Sequence, residues 1–368
     1  FLSSLVNLAN DWLHENKHWK IVNCETVTQY SKQKSEEVDY SAIVRTLRIW
    51  IQRSNVGYVR NKKNEMIFWH KDFKPKQRNC FLLLDDVIKQ LNLAIRAGEV
   101  RGKIINVETV RCQATDNWLF NPQLTFVNKG NTNKEIHEFR NFVFIIRVYY
   151  ETCPLDSLEE VGLKDFVPLN LSPENRKTEF TEDFSSVFNR ASQWISKNPE
   201  VNFCNAQAVD TIVQEGESGP NTKVMTRTKY EKEAEIRFLR IYYTKPMKEF
   251  CDNFPLSLVD KTAIYLASTS IAAKKCQEQI DAWFANLSFD SENYKYRVLA
   301  AETLVLPPYV KDKKGVNFLK AVDEIFRCNR LEGRLRYAFL AIRLYYDEGY
   351  DSLRQNNEID TQEFIDFN

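Results

Sequence analysis

The string His14-Glu15-Asn16-Lys17-His18 has the form of a zinc-hydrolase helix. In such a helix two histidines one turn apart hold the metal, and the glutamate beside the first acts as general base. That chemistry needs a helix running through both histidines. A later segment of the same chain argues otherwise: aligned on it, Lys17 falls opposite Pro199 and His18 opposite Glu200, where a helix should have ended. Residues Trp19 to Val22 already have strand character, and His70 and His137 are the other histidines left to supply a third ligand. The motif is therefore read as coincidental, with no metal and no cofactor expected.

Other catalytic signatures are missing. No GxSxG, GxGxxG or GxxxxGK[ST] occurs, which removes the usual marks of serine hydrolases, dinucleotide-binding folds and P-loops. The neighbouring carboxylates Asp85-Asp86 and Glu159-Glu160 read as solvated surface. Eight cysteines, Cys24, Cys80, Cys112, Cys153, Cys204, Cys251, Cys276 and Cys328, are spread evenly with no CxxC pair. That spacing disfavours zinc ribbons and redox motifs, and the even count admits disulfides. Two glycosylation sequons, at Asn170 and Asn286, and a first residue that is Phe1 instead of Met lead to the expectation of a secreted, extracellular chain.

Arginine beside an aromatic residue is the recurrent chemical feature. Leu47-Arg48-Ile49-Trp50, Ile146-Arg147-Val148-Tyr149, Leu239-Arg240-Ile241-Tyr242 and Ile342-Arg343-Leu344-Tyr345 share one order at near-equal spacing. β-Branched and aromatic residues in this order predict a strand each time. Alternation puts Arg48/Trp50, Arg147/Tyr149, Arg240/Tyr242 and Arg343/Tyr345 on one face, with the aliphatic residues opposite. A second strand precedes each, carrying Glu25, Glu108, Gln207 and Glu302 at one shared position. A cross-strand ion pair, or a hydrogen bond for Gln207, is the expected link to the arginine. Exposed to water, such pairs would only finish a sheet surface; lining a concavity, they would hold a flat or anionic organic molecule.

The elements behind these positions follow from periodicity. Apolar residues three and four apart mark helices at Leu5 to Leu13, Leu82 to Ala97 and Phe184 to Ile195, with a fourth within Leu258 to Leu287. Trp12 and Trp194 keep the same distance to Glu25 and Gln207. The chain thus reads as a four-fold internal αββ repeat in two tandem halves, 1–175 and 176–368, parted by the Pro- and charge-rich stretch from Asn170 to Glu182. An α+β fold is expected, with antiparallel curved sheets packed against helices, open or closed into a barrel.

Composition limits the partners. With 51 basic and 50 acidic side chains the net charge is +1, so no global field attracts nucleic acid or an anionic membrane. The basic, aromatic stretch from Arg60 to Arg78 reads as a hairpin with a lysine-rich edge instead of a nucleic-acid surface. No apolar run is long enough to span a bilayer as a helix. The expected function is a small-molecule-binding protein holding an organic ligand on the Arg–aromatic face. An enzyme oxidising an aromatic molecule with oxygen, and a structural or protein-interaction module, are the competing readings.

Overall fold

The computed structural model of the chain describes residues 1–34, 39–53, 68–75, 83–131, 141–152, 159–169, 182–213, 220–228, 234–247, 264, 266–272, 297–306, 326–327 and 339–347. Both sequons, the stretch 170–181 and Cys80, Cys153, Cys251, Cys276 and Cys328 lie outside them. In chain order the elements are α1 (Leu2–Glu15), β1 (Trp19–Lys34), β2 (Asp39–Arg53), β3 (Phe68–Phe73), α2 (Leu84–Arg96), β4 (Gly102–Gln113) and β5 (Phe126–Asn131). They continue with β6 (Asn141–Thr152), β7 (Glu159–Phe166), α3 (Phe184–Ser196), β8 (Asn202–Val213), β9 (Thr226–Thr228) and β10 (Ala234–Pro246). The last are β11 (Leu266–Ala272), β12 (Arg297–Leu306), β13 (Phe326–Arg327) and β14 (Phe339–Asp347). The described residues are thus mostly antiparallel β with few helices.

The helices end where their side chains dictate. In α3, Asp183 caps the N-terminus by accepting from the Ser186 amide at 2.8 Å. Phe184, Val187, Phe188, Ala191 and Ile195 form its buried stripe. At the other end the Asn198 side chain donates to the Trp194 carbonyl at 2.6 Å, and in α1 Asn16 donates to the Trp12 carbonyl at 2.9 Å. The Trp194 carbonyl would otherwise be left orphaned, whereas the Trp12 carbonyl also accepts the Asn16 backbone amide at 2.9 Å. Gly98, at φ +70°, follows α2 in the left-handed region that favours glycine.

Among the described residues four open sheets form: β1-β2-β5; β3-β6-β4 with β9 also on β6; β7-β10-β13 with β8 also on β10; and β11-β14-β12. None closes on itself among the described residues, so the barrel alternative is not realised there. The span expected to hold a fourth helix needs correcting where it is described, residues 273–287 lying outside the described residues. Within it, Leu266–Ala272 is strand β11, paired with β14 from Leu266↔Asp347 to Ala272↔Ala341. A short run of Ala, Ser and Thr has little helical preference to defend, and a ladder partner decides its state.

Two compact units result. The first is Phe1–Ser157 with Lys223–Tyr230, and the second combines Leu158–Thr222 with the later strands. The first unit packs Val6 and Leu13 of α1 on Ile21, Cys24, Phe68, Ile105 and Tyr149, with Leu47 and Ile49 against the same cluster. The second packs the α3 stripe on Leu239, Ile241, Ala206, Ala300 and Tyr345. The aliphatic faces of β2 and β10 thus meet helices. Each strand carrying Glu or Gln is also irregular at one place, where the register steps over Val22, Ile105, Cys204 or Leu299. One extra residue on one strand is a β-bulge.

Candidate functional site

The central strand of each sheet carries the arginine, and the ladder sets what faces it. Glu25 is the Cα partner of Arg48, Glu108 of Arg147, Gln207 of Arg240 and Glu302 of Arg343. On the other side of the central strand, Asp72 of β3 faces Arg147, Asp165 of β7 faces Arg240, and Ser270 of β11 faces Arg343. In the first sheet β5 reaches only Tyr40 to Val44 on that side. The Arg–aromatic pattern does not predict these aspartates, although the sequence signals them. Lys71-Asp72-Phe73-Lys74-Pro75 and Lys164-Asp165-Phe166-Val167-Pro168 share a Lys-Asp-Phe-x-Pro pattern at corresponding places.

Arg147 is fully buried, and its guanidinium is held from three directions. Nε and Nη2 donate to the two Asp72 oxygens at 2.7 and 3.0 Å, Nη1 to Thr26 Oγ1 at 2.9 Å, and Nη2 again to the Pro122 carbonyl at 3.0 Å. Arg240 repeats the fork on Asp165 at 2.7 and 2.8 Å and donates to the Thr222 carbonyl at 2.9 Å. Forked pairs of this kind combine charge with fixed geometry. Arg343 lies 3.2 Å from Glu302 and 3.7 Å above the Phe184 ring, while Tyr345 donates to Glu302 at 2.6 Å. Arg48 has the loosest of these ion pairs, 3.9 Å from Glu25, with its guanidinium 5.9 Å from the Trp50 ring.

Two of the acids also serve a neighbouring sheet. Glu108 Oε2 accepts the Thr26 amide of β1 at 2.9 Å, and Glu302 Oε2 accepts the Ala208 amide of β8 at 2.7 Å. Within each unit one sheet's carboxylate therefore completes an edge strand of the other. An unpaired amide there would be costly in the interior.

All the sequence-predicted positions lie on these strands, and the face expected to meet water or a ligand is buried. Arg147, Arg240 and Arg343 are 0%, 2% and 1% exposed, and Tyr149, Tyr242 and Tyr345 are all at 0%. Trp50, Arg48, Glu25, Glu108 and Glu302 are buried as well, and Gln207 is half-buried. Burial works against the charge on Arg147, but Tyr149, Asp72 and Glu108 more than offset it and hold its pKa above the ordinary value. Burial, then the Glu108 charge, pushes the Tyr149 phenol well up, and burial does the same to Tyr345 beside Glu302. These phenols stay protonated at neutral pH and are weak acids. Burial also raises Glu108, against the pull of Arg147 and Thr26.

The remaining motifs are placed plainly. α1 stops at Glu15 and β1 starts at Trp19, so His18 lies in the connecting turn and not on a helical face with His14. No cluster of three or more His, Cys, Asp or Glu suited to a metal occurs among the described residues. Cys24 and Cys112 are buried as thiols and Cys204 is half-buried, so no disulfide joins described residues. Asp85 lies in the first turn of α2 and meets Lys223 at 2.6 Å. No helix is long and apolar enough to cross a membrane among the described residues. No protein-family model, curated protein or solved structure matches the chain.

Proposed function

We propose that the chain is an array of four related units that works as a structural and protein-interaction module, with its Arg–aromatic layer used for internal cohesion. Repetition of detail supports the four-fold reading. The four arginine registers coincide, the four bulges fall at the same distance before Glu25, Glu108, Gln207 and Glu302, and Asn16 and Asn198 close their helices alike. The third strand of a sheet comes from before its helix, so β3-α2-β4-β6 and β7-α3-β8-β10 are better units than αββ.

The observation that carries the reading is Arg147. Four of its N–H directions are taken by Asp72, Thr26 and Pro122, of the five a guanidinium has. A ligand anion would have to displace Asp72 from a buried site. Native mass spectrometry of the chain taken from its source tests this. The expected spectrum contains the chain, alone or with protein subunits, and no organic adduct. An adduct of small mass that disappears in Arg147→Met would overturn the reading and restore small-molecule binding at these positions.

A further inference from the structure

We propose that burial of His70 makes the turn around Gln123 acid-sensitive: the turn is closed over β3 at neutral pH and opens to water as the imidazole takes up a proton, because the closed turn denies the imidazolium its hydration. His70 is 7% exposed, and its Nε2 lies 3.0–3.2 Å from the Gln123 amide group. Its Nδ1 is buried with no hydrogen-bond partner among the described residues. Gln123 in turn donates to Asp72 Oδ2 at 2.7 Å, so imidazole, amide, aspartate and the Arg147 guanidinium form one chain.

Among the described residues the charged groups around the imidazole are few. Asp72 lies on its own strand, and β6 presents Arg147 and the Tyr149 ring, 6.1 Å away between centroids. The turn contributes the neutral Gln123, and α1 meets the strand through the neutral Asn10, bonded to Phe68. Lys71 pairs with Glu99 on the outer side. A proton on His70 would leave a buried N–H without an acceptor and place a second cation beside Arg147. Burial and Arg147 together hold the imidazole below the ordinary histidine value, against Asp72 and Gln123.

The fold does not need a histidine at this place. His70 is the ladder partner of Tyr149, and the corresponding partner of Tyr242 in the second unit is Leu163. The Arg–Asp fork is the same in both, so titration is what His70 adds. The turn it holds is structural: the Gln123 carbonyl accepts the Leu2 amide at the start of α1 at 2.9 Å, and the Thr125 carbonyl accepts the Arg45 amide at 2.7 Å. Release of Gln123 therefore loosens the start of α1 and the β2–turn contact.

The sign follows from linkage. With the folded value below the unfolded one, the unfolded chain protonates first, so the His70 contribution is fully present above about pH 6.5 and is lost as pH falls from there through the lower folded value. One proton raises the unfolding constant up to about tenfold between pH 7.5 and 5.5. The experiment compares urea unfolding of the first unit at these two pH values in the full chain, His70→Leu and His70→Gln. A destabilisation at the lower pH, of up to that size, is expected in the natural chain and absent from both variants, the glutamine variant serving if the leucine one does not fold. Amide exchange at Leu2 should also be faster at pH 5.5 in the natural chain than in His70→Gln at that same pH. Equal pH dependence in all three chains, or a His70 proton resonance titrating at or above the ordinary histidine value, would overturn the proposal.

Discussion

Glu108 binds the backbone of Thr26, a residue of another sheet, as well as facing the arginine beside it. Its Oε2 accepts the Thr26 amide at 2.9 Å, and its Oε1 accepts the Thr26 hydroxyl. Thr26 Oγ1 lies 2.9 Å from both Arg147 Nη1 and the Tyr149 hydroxyl. One threonine thus gathers a carboxylate, a guanidinium and a phenol at the junction of two sheets.

Removing this acceptor should cost more than neutralising it. Glu108→Ala leaves the Thr26 amide buried and unpaired, at about 1–3 kcal/mol in the unfolding of the first unit. Glu108→Gln keeps an oxygen for that amide and removes a buried charge. Because burial holds Glu108 above the usual carboxylate range, its contribution is greatest below about pH 4.3 and is lost as pH rises through the folded value. The stability of Glu108→Gln relative to the natural chain should therefore increase between pH 4 and pH 7. Denaturant midpoints across that range decide it, and a difference that falls with pH would contradict this account.

The Asp72–Arg147 fork should behave as a buried pair, with Arg147 at 0% and the Asp72 side chain at 5% exposure. Asp72→Ala or Arg147→Ala alone strands a charge and should cost about 3–5 kcal/mol, whereas Asp72→Leu with Arg147→Met should recover most of the loss. Asp165 and Arg240, forked in the same way at 2.7 Å, should give the same pattern in the second unit. Double-mutant cycles on chemical unfolding measure both couplings.

Much of this arrangement was readable in the residues, and the unread part has a physical reason. Arg48 and Glu25, or Arg343 and Glu302, declared their pairing because a motif on a strand repeats with its partner motif at fixed distance. Asp72 and Asp165 did not, since each joins its sheet from before a helix, and no local pattern tells which strand a short segment will pair with. Burial was equally hidden. An Arg-and-Tyr face looks solvent-facing on one strand, and only the packing around Thr26 and Ala208 makes it interior. β11 failed for a third reason: Ala, Ser and Thr in Leu266–Ala272 carry almost no period, and its ladder with β14 decides its state.

Gly162 should resist enlargement. It faces Tyr243 across the β7–β10 ladder, and a Cβ at that position would lie 2.4 Å from the tyrosine ring. The ring is not free to yield without loss, because it packs on Trp194 of α3 at 5.5 Å between centroids. Gly162→Ala is therefore expected to destabilise the second unit by about 1–3 kcal/mol. Gly162→Ala combined with Tyr243→Ala should abolish the steric part, as a thermal-unfolding cycle would show.

The thiols give a test of burial that is independent of charge. Cys24 is 0% exposed within the α1-facing core and Cys112 is 1% exposed beside Val110 and Val143. Burial also pushes the Cys112 thiol up, so little thiolate is present at neutral pH. Alkylation needs access to the sulfur, which the fold denies at both positions. In the native chain, peptide mapping after brief maleimide treatment should find these two positions unmodified, and partial denaturation should expose them together with loss of the first unit. Modification of Cys112 at native conditions, at the rate of a free thiol, would mean that the strands around Val110 and Val143 open far more readily than their packing implies.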